Sequence, residues 1–382
     1  MLTVFSRRKA FQLAGASALA QPRLFSFQQT PANARPGDRP LVDYEPFPEN
    51  NLRPAVSLVH GESRRKNVCD ALVAIDDDIG PKLKTKKYVI IKPNIVGAMS
   101  KDALSAANAD EIHGILDYLE PRFKGPVMVA ESSAGDTGRA YETLEYPKVV
   151  AEHRSQKVSL VDLNREAKIK VIPGIDYHLH VVPIRVAAQL FDPDAFIISA
   201  GIMKTHNVGV ATLSVKNMVV GAPLHYAPGE STRWNDKRKM HAGIRQTNYL
   251  MYLMADKMKP YWGAAVIDGF EGMEGNGPGA GTPVPSRVAI ASSDYVAADR
   301  VGVEAMGIDP GYLGYLTYLG AAGVGQYDLA KITLRGPSIA SVQKKYRLHT
   351  DIERELQWQG PMRELPPNLG WTRPLDPHDI VA

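Results

Sequence analysis

Tyr88-Val89-Ile90-Ile91 is a run of apolar residues that stops abruptly at Lys92-Pro93-Asn94. An apolar run this short, without alternation, fits a strand buried on both faces, as in a parallel sheet sandwiched by helices. The polar residues that follow then lie at the carboxyl end of the strand, where open α/β sheets bind ligands. The same pattern recurs along the chain. Val127-Met128-Val129-Ala130 runs into Glu131-Ser132-Ser133, and Ala195-Phe196-Ile197-Ile198-Ser199 leads to Lys204-Thr205-His206-Asn207. Ala264-Ala265-Val266-Ile267 runs into Asp268-Gly269-Phe270-Glu271, and Val288-Ala289-Ile290-Ala291 into Ser292-Ser293-Asp294. Between these runs lie helical stretches at 68–83, 110–123, 141–153, 210–220, 247–258 and 296–306; in the second, Ile112, Ile115, Leu116 and Leu119 form one stripe. The alternation predicts an α/β fold of mainly parallel sheets covered by helices, with a site at the strand ends.

Outward from this pattern, the 382 residues exceed the ~250–300 at which single cores stop growing, so two lobes are expected, 55–190 and 191–340. Residues 21–54 read as a linker or arm, and 341–382, polar and proline-rich, as a wrapping tail. Residues 1–20 read as an export signal. Ser6-Arg7-Arg8-Lys9 precedes a mild apolar run ending in Ala18-Leu19-Ala20, which suits the twin-arginine route, the export machinery as partner and a periplasmic destination. That run is too short to span a membrane. A hydrophobic share of 44% with 23% charged residues excludes a disordered chain, a fibre and a multispan membrane protein. The 45 basic and 41 acidic residues nearly balance, leaving no nucleic-acid footprint. Cys69 is the single cysteine, which excludes disulfides and any self-contained cysteine-ligated zinc or iron–sulfur cluster; its apolar helical setting makes it a core residue.

Lysines mixed with carboxylates at five strand ends point to one site for a small anionic ligand. Lys92, Asn94, Lys216 and Asn217 are the expected binding residues, together with Gly275 and Gly277 of a glycine-rich segment. Lys204, His206 and Glu131 are the expected catalytic residues. His206 is the candidate acid/base, since an imidazole titrates near neutrality. Residues 268–281 read as an acidic, glycine-rich loop, whose carboxylates suit a divalent cation and whose amides suit an anion. Asp268 and Glu271 are the expected metal ligands. Neighbouring carboxylates raise each other's pKa, so these two are expected to point inward beside Lys204 or a cation, with Glu274 partly exposed. The segment between His225 and His241 reads as a lid or a surface excursion. Neither a phosphate-binding P-loop nor a Gly-x-Ser-x-Gly nucleophile motif is present.

These residues also carry a resemblance. Ile91-Lys92-Pro93-Asn94, Ala130-Glu131-Ser132 with Gly135-Asp136-Thr137, Val161-Asp162-Leu163-Asn164, Lys204-Thr205-His206, Ser214-Val215-Lys216-Asn217-Met218 with Gly221, the segment Ile267 to Pro278, and Asp294 to Asp299 together resemble the bacterial and archaeal family named for domain of unknown function 362. The resemblance runs from about Ala55 to Gly336. Some members of that family carry a cysteine-rich ferredoxin module; this chain, with Cys69 alone, departs from them. The family architecture is distantly similar to the nickel-pincer lactate racemase group, two α/β lobes around a cleft, although that group's cofactor-lysine and histidine motif has no residue-by-residue match here.

The expected function is metal-assisted enzymology on a small anionic substrate, by hydrolysis or by proton transfer next to a carboxylate. Two rivals fit the same lobes and charges: a non-catalytic periplasmic anion-binding protein, and an accessory or maturation factor for a redox enzyme.

Overall fold

The strands expected from the apolar runs assemble into one mixed sheet. The computed structural model describes residues 50–359, apart from 98, 99, 167, 177, 179, 226–235 and 242. The export signal, most of the expected arm, the end of the tail and much of the 225–241 segment lie outside the described residues. Among the described residues twelve strands run in chain order: β1 (Ala55–His60), β2 (Tyr88–Pro93), β3 (Pro126–Glu131), β4 (Lys157–Asp162), β5 (Ile169–Ile175), β6 (Val181–Ala187), β7 (Ala195–His206), β8 (Val210–Thr212), β9 (Trp262–Asn276), β10 (Ala280–Val284), β11 (Val288–Ser292) and β12 (Thr333–Arg335). The ten-stranded sheet has the order β12-β1-β11-β9-β7-β2-β3-β4, with β8 hydrogen-bonded to β7 and β10 to β9. Strands β9, β7, β2, β3 and β4 are mutually parallel and run from the middle of the sheet to its β4 edge. Strand β11 is antiparallel to both its neighbours. Strands β5 and β6 form a separate antiparallel pair.

Both faces of the sheet are covered. Ile90, Ile197, Ile267 and Ile290 face one core, closed by helices from the second half of the chain. Val89, Ile91, Ile198 and Val266 face the other, closed by the helices α1 (Arg64–Val73), α2 (Asp76–Leu83), α3 (Ala109–Leu119), α4 (Thr137–Thr143) and α5 (Tyr146–Glu152). Neighbours in sequence thus serve opposite cores, which is why these strands read as unbroken apolar runs. The strands on either side of the expected boundary at 190 and 191 share this sheet, with β7 hydrogen-bonded along β2 from Tyr88↔Ala195 to Pro93↔Ala200. Among the described residues, no helix is long and apolar enough to cross a membrane.

Three expected elements differ. The stretch 210–220 is not one helix: β8 precedes a short helix, α6 (Ser214–Gly221). Val210 has a positive φ of 61°, and the buried carboxylate of Asp299 fixes the start of α6 by accepting from Ser214 N and Oγ and from Val215 N. The stretch 141–153 breaks at Glu145, also at positive φ, into α4 and α5. The acidic, glycine-rich stretch is not a loop. β9 continues through it to Asn276 and turns into β10, pairing Glu274 with Thr282 and Gly272 with Val284.

After β8 and α6 come α7 (Asp236–Lys239), α8 (Ile244–Met258), α9 (Tyr295–Ala305) and α10 (Gly314–Ala321). The described part of the tail crosses the body. Tyr346 OH lies 2.8 Å from Ser286 Oγ, Gly275 N donates to Arg347 O, and Trp358 Nε1 donates to Tyr312 O.

Candidate functional site

The carboxyl ends of β2, β3 and β7 meet at the start of α6. Pro93 ends β2, leaving Lys92 fully buried beneath it. Its ammonium donates to both oxygens of Glu131, at 3.1 and 3.0 Å, and to Asn217 Oδ1 at 3.1 Å. Burial pulls the Lys92 pKa down and Glu131 pulls it back up. Glu131 also accepts from Ile95 N and Ser132 N. The Asn217 amide in turn donates to Lys92 O, Ser199 Oγ and Ala200 O, while Asn94 Nδ2 reaches Asn217 Oδ1 at 3.4 Å. Lys92, Glu131, Asn94 and Asn217 therefore form a polar lock between two strands and α6, in which Asn94 Oδ1 is buried with no hydrogen bond among the described residues. Gly221 closes over it, since a Cβ there would lie 2.5 Å from Lys92 Nζ.

One helical position before Asn217, Lys216 faces a different environment. It is 5% exposed. Burial pushes its amine down to about 7, opposed by the charge of Glu355. Lys204, fully buried at the end of β7, donates to Ser105 O at 2.9 Å and is held well below its usual value by burial and by Lys216. Lys237 of α7 donates to Gly221 O and is pushed down to about 7, first by burial; Glu131, Lys92 and Lys216 all act on it. His206 is buried and held well below neutrality by burial, Lys216, His241, Lys204 and His349. The result is a buried cluster of bases with Lys216 at its centre. Glu355 is the carboxylate that acts on Lys216, and burial raises it to about 7.

Two imidazoles in this cluster have fixed tautomers. His206 Nδ1 accepts from Val208 N at 3.1 Å, so the proton of the neutral ring sits on Nε2. His241 Nδ1 lies 2.7 Å from Lys237 O, an acceptor only, so this nitrogen carries the proton and Nε2 offers a lone pair. The rings stack at 6.1 Å between centroids and 25° between planes. Burial, and next Lys216, pushes His241 down to about 4, so both rings are neutral at ordinary pH.

The expected metal ligands sit elsewhere. Asp268 is buried, and its partner is not Lys204: Arg64 Nε of α1 lies 3.0 Å from Oδ2. Phe270 N donates to its other oxygen. Glu271 is exposed, not inward; it falls in the irregular stretch of β9 between Asp268, paired with Ile202, and Met273, paired with Lys204. Glu274 is half-buried and accepts from Arg347 N and Thr282 Oγ1. Asp268 and Glu271 share a cleft of about 90 Å³ with Arg64, Asp102 and Asn108, and the site lysines do not line it. Ser105, which holds Lys204, belongs to the segment whose neighbours Leu104 and Ala106 wall that cleft. Beside it, Glu111 is fully buried with neither carboxylate oxygen bonded among the described residues, and burial and Asp268 push its pKa well up.

Gly275 and Gly277 do not turn amides towards a ligand. Gly275 N donates to Arg347 O and Gly277 N to Gly275 O. Gly277 lies so close to β7 that a Cβ would fall 2.0 Å from Thr205 O.

Sequence reasoning singled out Lys92, Asn94, Glu131, Lys204, His206, Lys216 and Asn217, which the fold gathers at one end of the sheet. It missed His241, Lys237, Glu355 and Asp299 as members of this site. Asp299 was legible only as part of the family resemblance. A family model described as domain of unknown function (DUF362) matches residues 89–304, more than half of the chain. The chain belongs to the DUF362 family. In this DUF362 protein the matched region holds the whole polar lock, the base cluster except the tail residues, and Asp299. No curated protein matches the sequence. Among solved structures, a crystal structure of a Thermotoga maritima protein aligns at 12% identity and a TM-score of 0.36, over 59% of this chain and 55% of that one. The aligned part is thus about half the length of the Thermotoga chain.

Proposed function

We propose that this DUF362 protein is an enzyme that binds a small carboxylate-bearing substrate among Lys204, Lys216 and Lys237 and moves a proton next to the carboxylate. The observation that carries the reading is the fixed, complementary pair of imidazoles: His206 offers Nε2–H as a donor to a substrate oxygen, and His241 offers an Nε2 lone pair as a base. A buried group of bases with Glu355 as the nearby carboxylate favours an entering anion, whose charge lets the amines take up the protons that burial otherwise disfavours. The same anion raises the proton affinity of His241 from its depressed value towards the range where an imidazole is an effective base.

A divalent cation at Asp268 and Glu271 fits these residues poorly. Arg64 already balances Asp268, and Glu271 is exposed. The proton transfer proposed needs no cation at that cleft. The proposed site of action is the periplasm, a reading supported by Arg7-Arg8 and the short apolar run after them.

The test is hydrogen–deuterium exchange at carbon, followed by NMR in heavy water with malonate, lactate and pyruvate as probes. Exchange accelerated by the wild type, lost by about 100-fold in His241→Gln while calorimetric binding of malonate stays within about threefold, is the expected result. Binding without exchange of any probe favours the anion-receptor alternative. No binding of any probe overturns the site.

A further inference from the structure

Of the four lysines in and around the site, three are committed to oxygen. Lys92 donates to Glu131, Lys204 to Ser105 O and Lys237 to Gly221 O. Lys216 is nineteen-twentieths buried, yet its amine donates to none of the described residues. Its stem is positioned: the helix carrying it is anchored at its first turn by Asp299, and a Cβ at Gly209 would lie 3.5 Å from its Cδ and Cε. A lysine that served only to clamp an anion would gain from staying charged. Lys216 is the worst placed of the four for that, because its neighbours Lys204, Lys237, His206 and His241 are themselves bases. An amine on a nearly buried side chain, without a hydrogen bond among the described residues and set among bases, is instead suited to act as a nucleophile.

We infer that Lys216 forms an imine with the carbonyl carbon of a small 2-oxo acid, whose carboxylate rests against Lys204 and Lys237. This rests on the reading above and names its substrate class. The Nζ lone pair attacks the carbonyl carbon and the π pair moves to oxygen, which accepts a hydrogen bond from His206 Nε2–H. The two amine protons pass in turn through His241 Nε2 to that oxygen. The carbon–nitrogen double bond forms, the carbon–oxygen bond breaks and one water leaves, so no net acid, base, oxidant or reductant is consumed. Hydrogens on the carbon beside the imine carbon become acidic, and His241 is at hand to remove one.

The experiment traps the imine in full-length wild-type protein. Pyruvate, 2-oxobutyrate or glyoxylate is added with sodium borohydride as the hydride donor, and the digested protein is mapped by mass spectrometry. The expected result is one reduced 2-oxo-acid unit on the peptide containing Lys216, reached well before any on exposed Lys84 or Lys124, and suppressed by malonate. Lys216→Arg leaves that peptide unmodified. The trapping rate rises roughly tenfold from about pH 6 to pH 8, following the neutral amine. Because the mapping is done on wild type, a variant that fails to fold does not blunt the test. No adduct on Lys216, or one no faster than on Lys84 and Lys124, overturns the imine. If malonate still binds in that case, the anion site stands without it; if malonate does not bind either, both fall.

Discussion

At Lys216, burial and proton affinity pull against each other, and stability records the conflict. The folded-state amine titrates near 7, against 10.5 for an unburied lysine. Below about pH 7 both folded and unfolded chains hold the proton, and the folded state bears the full penalty of a buried charge. Between 7 and 10.5 the folded state has released the proton while the unfolded chain keeps it, so the penalty fades as pH rises. Lys216→Met is therefore expected to raise thermal stability at about pH 6, by on the order of a few kcal/mol, and to raise it hardly at all above pH 10; differential scanning calorimetry across that range checks it. The neighbouring imidazoles carry a sharper expectation. His206→Gln keeps a hydrogen-bond donor, whereas His241→Gln loses the only base of the pair. The first should slow deuterium exchange by about tenfold and the second by about 100-fold, with NMR as the readout. Lys204, His206 and Lys216 were legible in the sequence because each falls at the end of a strand or within an apolar helical pattern. His241 was seen only as one end of an irregular segment. Glu355 lies in a polar tail, where nothing in the local pattern marks one carboxylate out from the next. Arg64, at the start of a helix, gives no hint that it will cross to Asp268.

Among the elements, α6 does most to place the site, and its position depends on a residue far along the chain. Asp299 accepts from Ser214 N, Ser214 Oγ, Val215 N and Tyr315 OH, all inside the core. Burial nonetheless raises its pKa to about 7. Asp299→Ala leaves those donors without an acceptor and should cost about 3 kcal/mol or more in a urea unfolding titration. It should also weaken malonate binding, because Lys216 and Asn217 ride on the same helix. Sequence pattern could mark α6 as apolar and helical but not find its first residue, since that start is set by a side chain 85 positions away. The β9–β10 hairpin was misread for a related reason. Glycines at 269, 272, 275 and 277 look like loop residues, yet they are required where strand and strap approach each other. At Gly272 a Cβ would fall 2.0 Å from Tyr346 OH, and Gly277 is closed on by Thr205 O. Gly277→Ala is expected to destabilise the hairpin by about 1–3 kcal/mol while leaving the imidazole pair intact, measured as a lowered melting temperature with binding retained.

Over the whole molecule, the α/β class and the strand-end site followed from the apolar runs, because a sheet covered on both faces needs just such runs. The continuity of the sheet across 190 did not, since hydrogen bonds between β2 and β7 leave no trace in local sequence. The proposed export also concerns the whole chain. Replacing Arg7 and Arg8 with lysine should hold the precursor in the cytoplasm if the twin-arginine route carries it, as fractionation and immunoblotting would reveal; undiminished periplasmic recovery would exclude that route.

The first described strand is also among the last that can be completed. β1 pairs with β11 and β12, so that Val56 faces both Ser292 and Leu334. A ribosome delivers β1 long before either partner exists. Until residues 288–292 emerge, β1 has neither of its two neighbours, and until 333–335 follow it lacks the second, so the sheet stops short on that side. Pairing at such separation in sequence is slow, and an unpaired apolar edge invites aggregation meanwhile. Closure of this sheet therefore falls at the end of synthesis or after it, and a chaperone that shields β1 should raise the yield of folded protein more than one acting on later segments. A route that exports chains only once they have folded suits a protein whose first described strand must wait for its last described one.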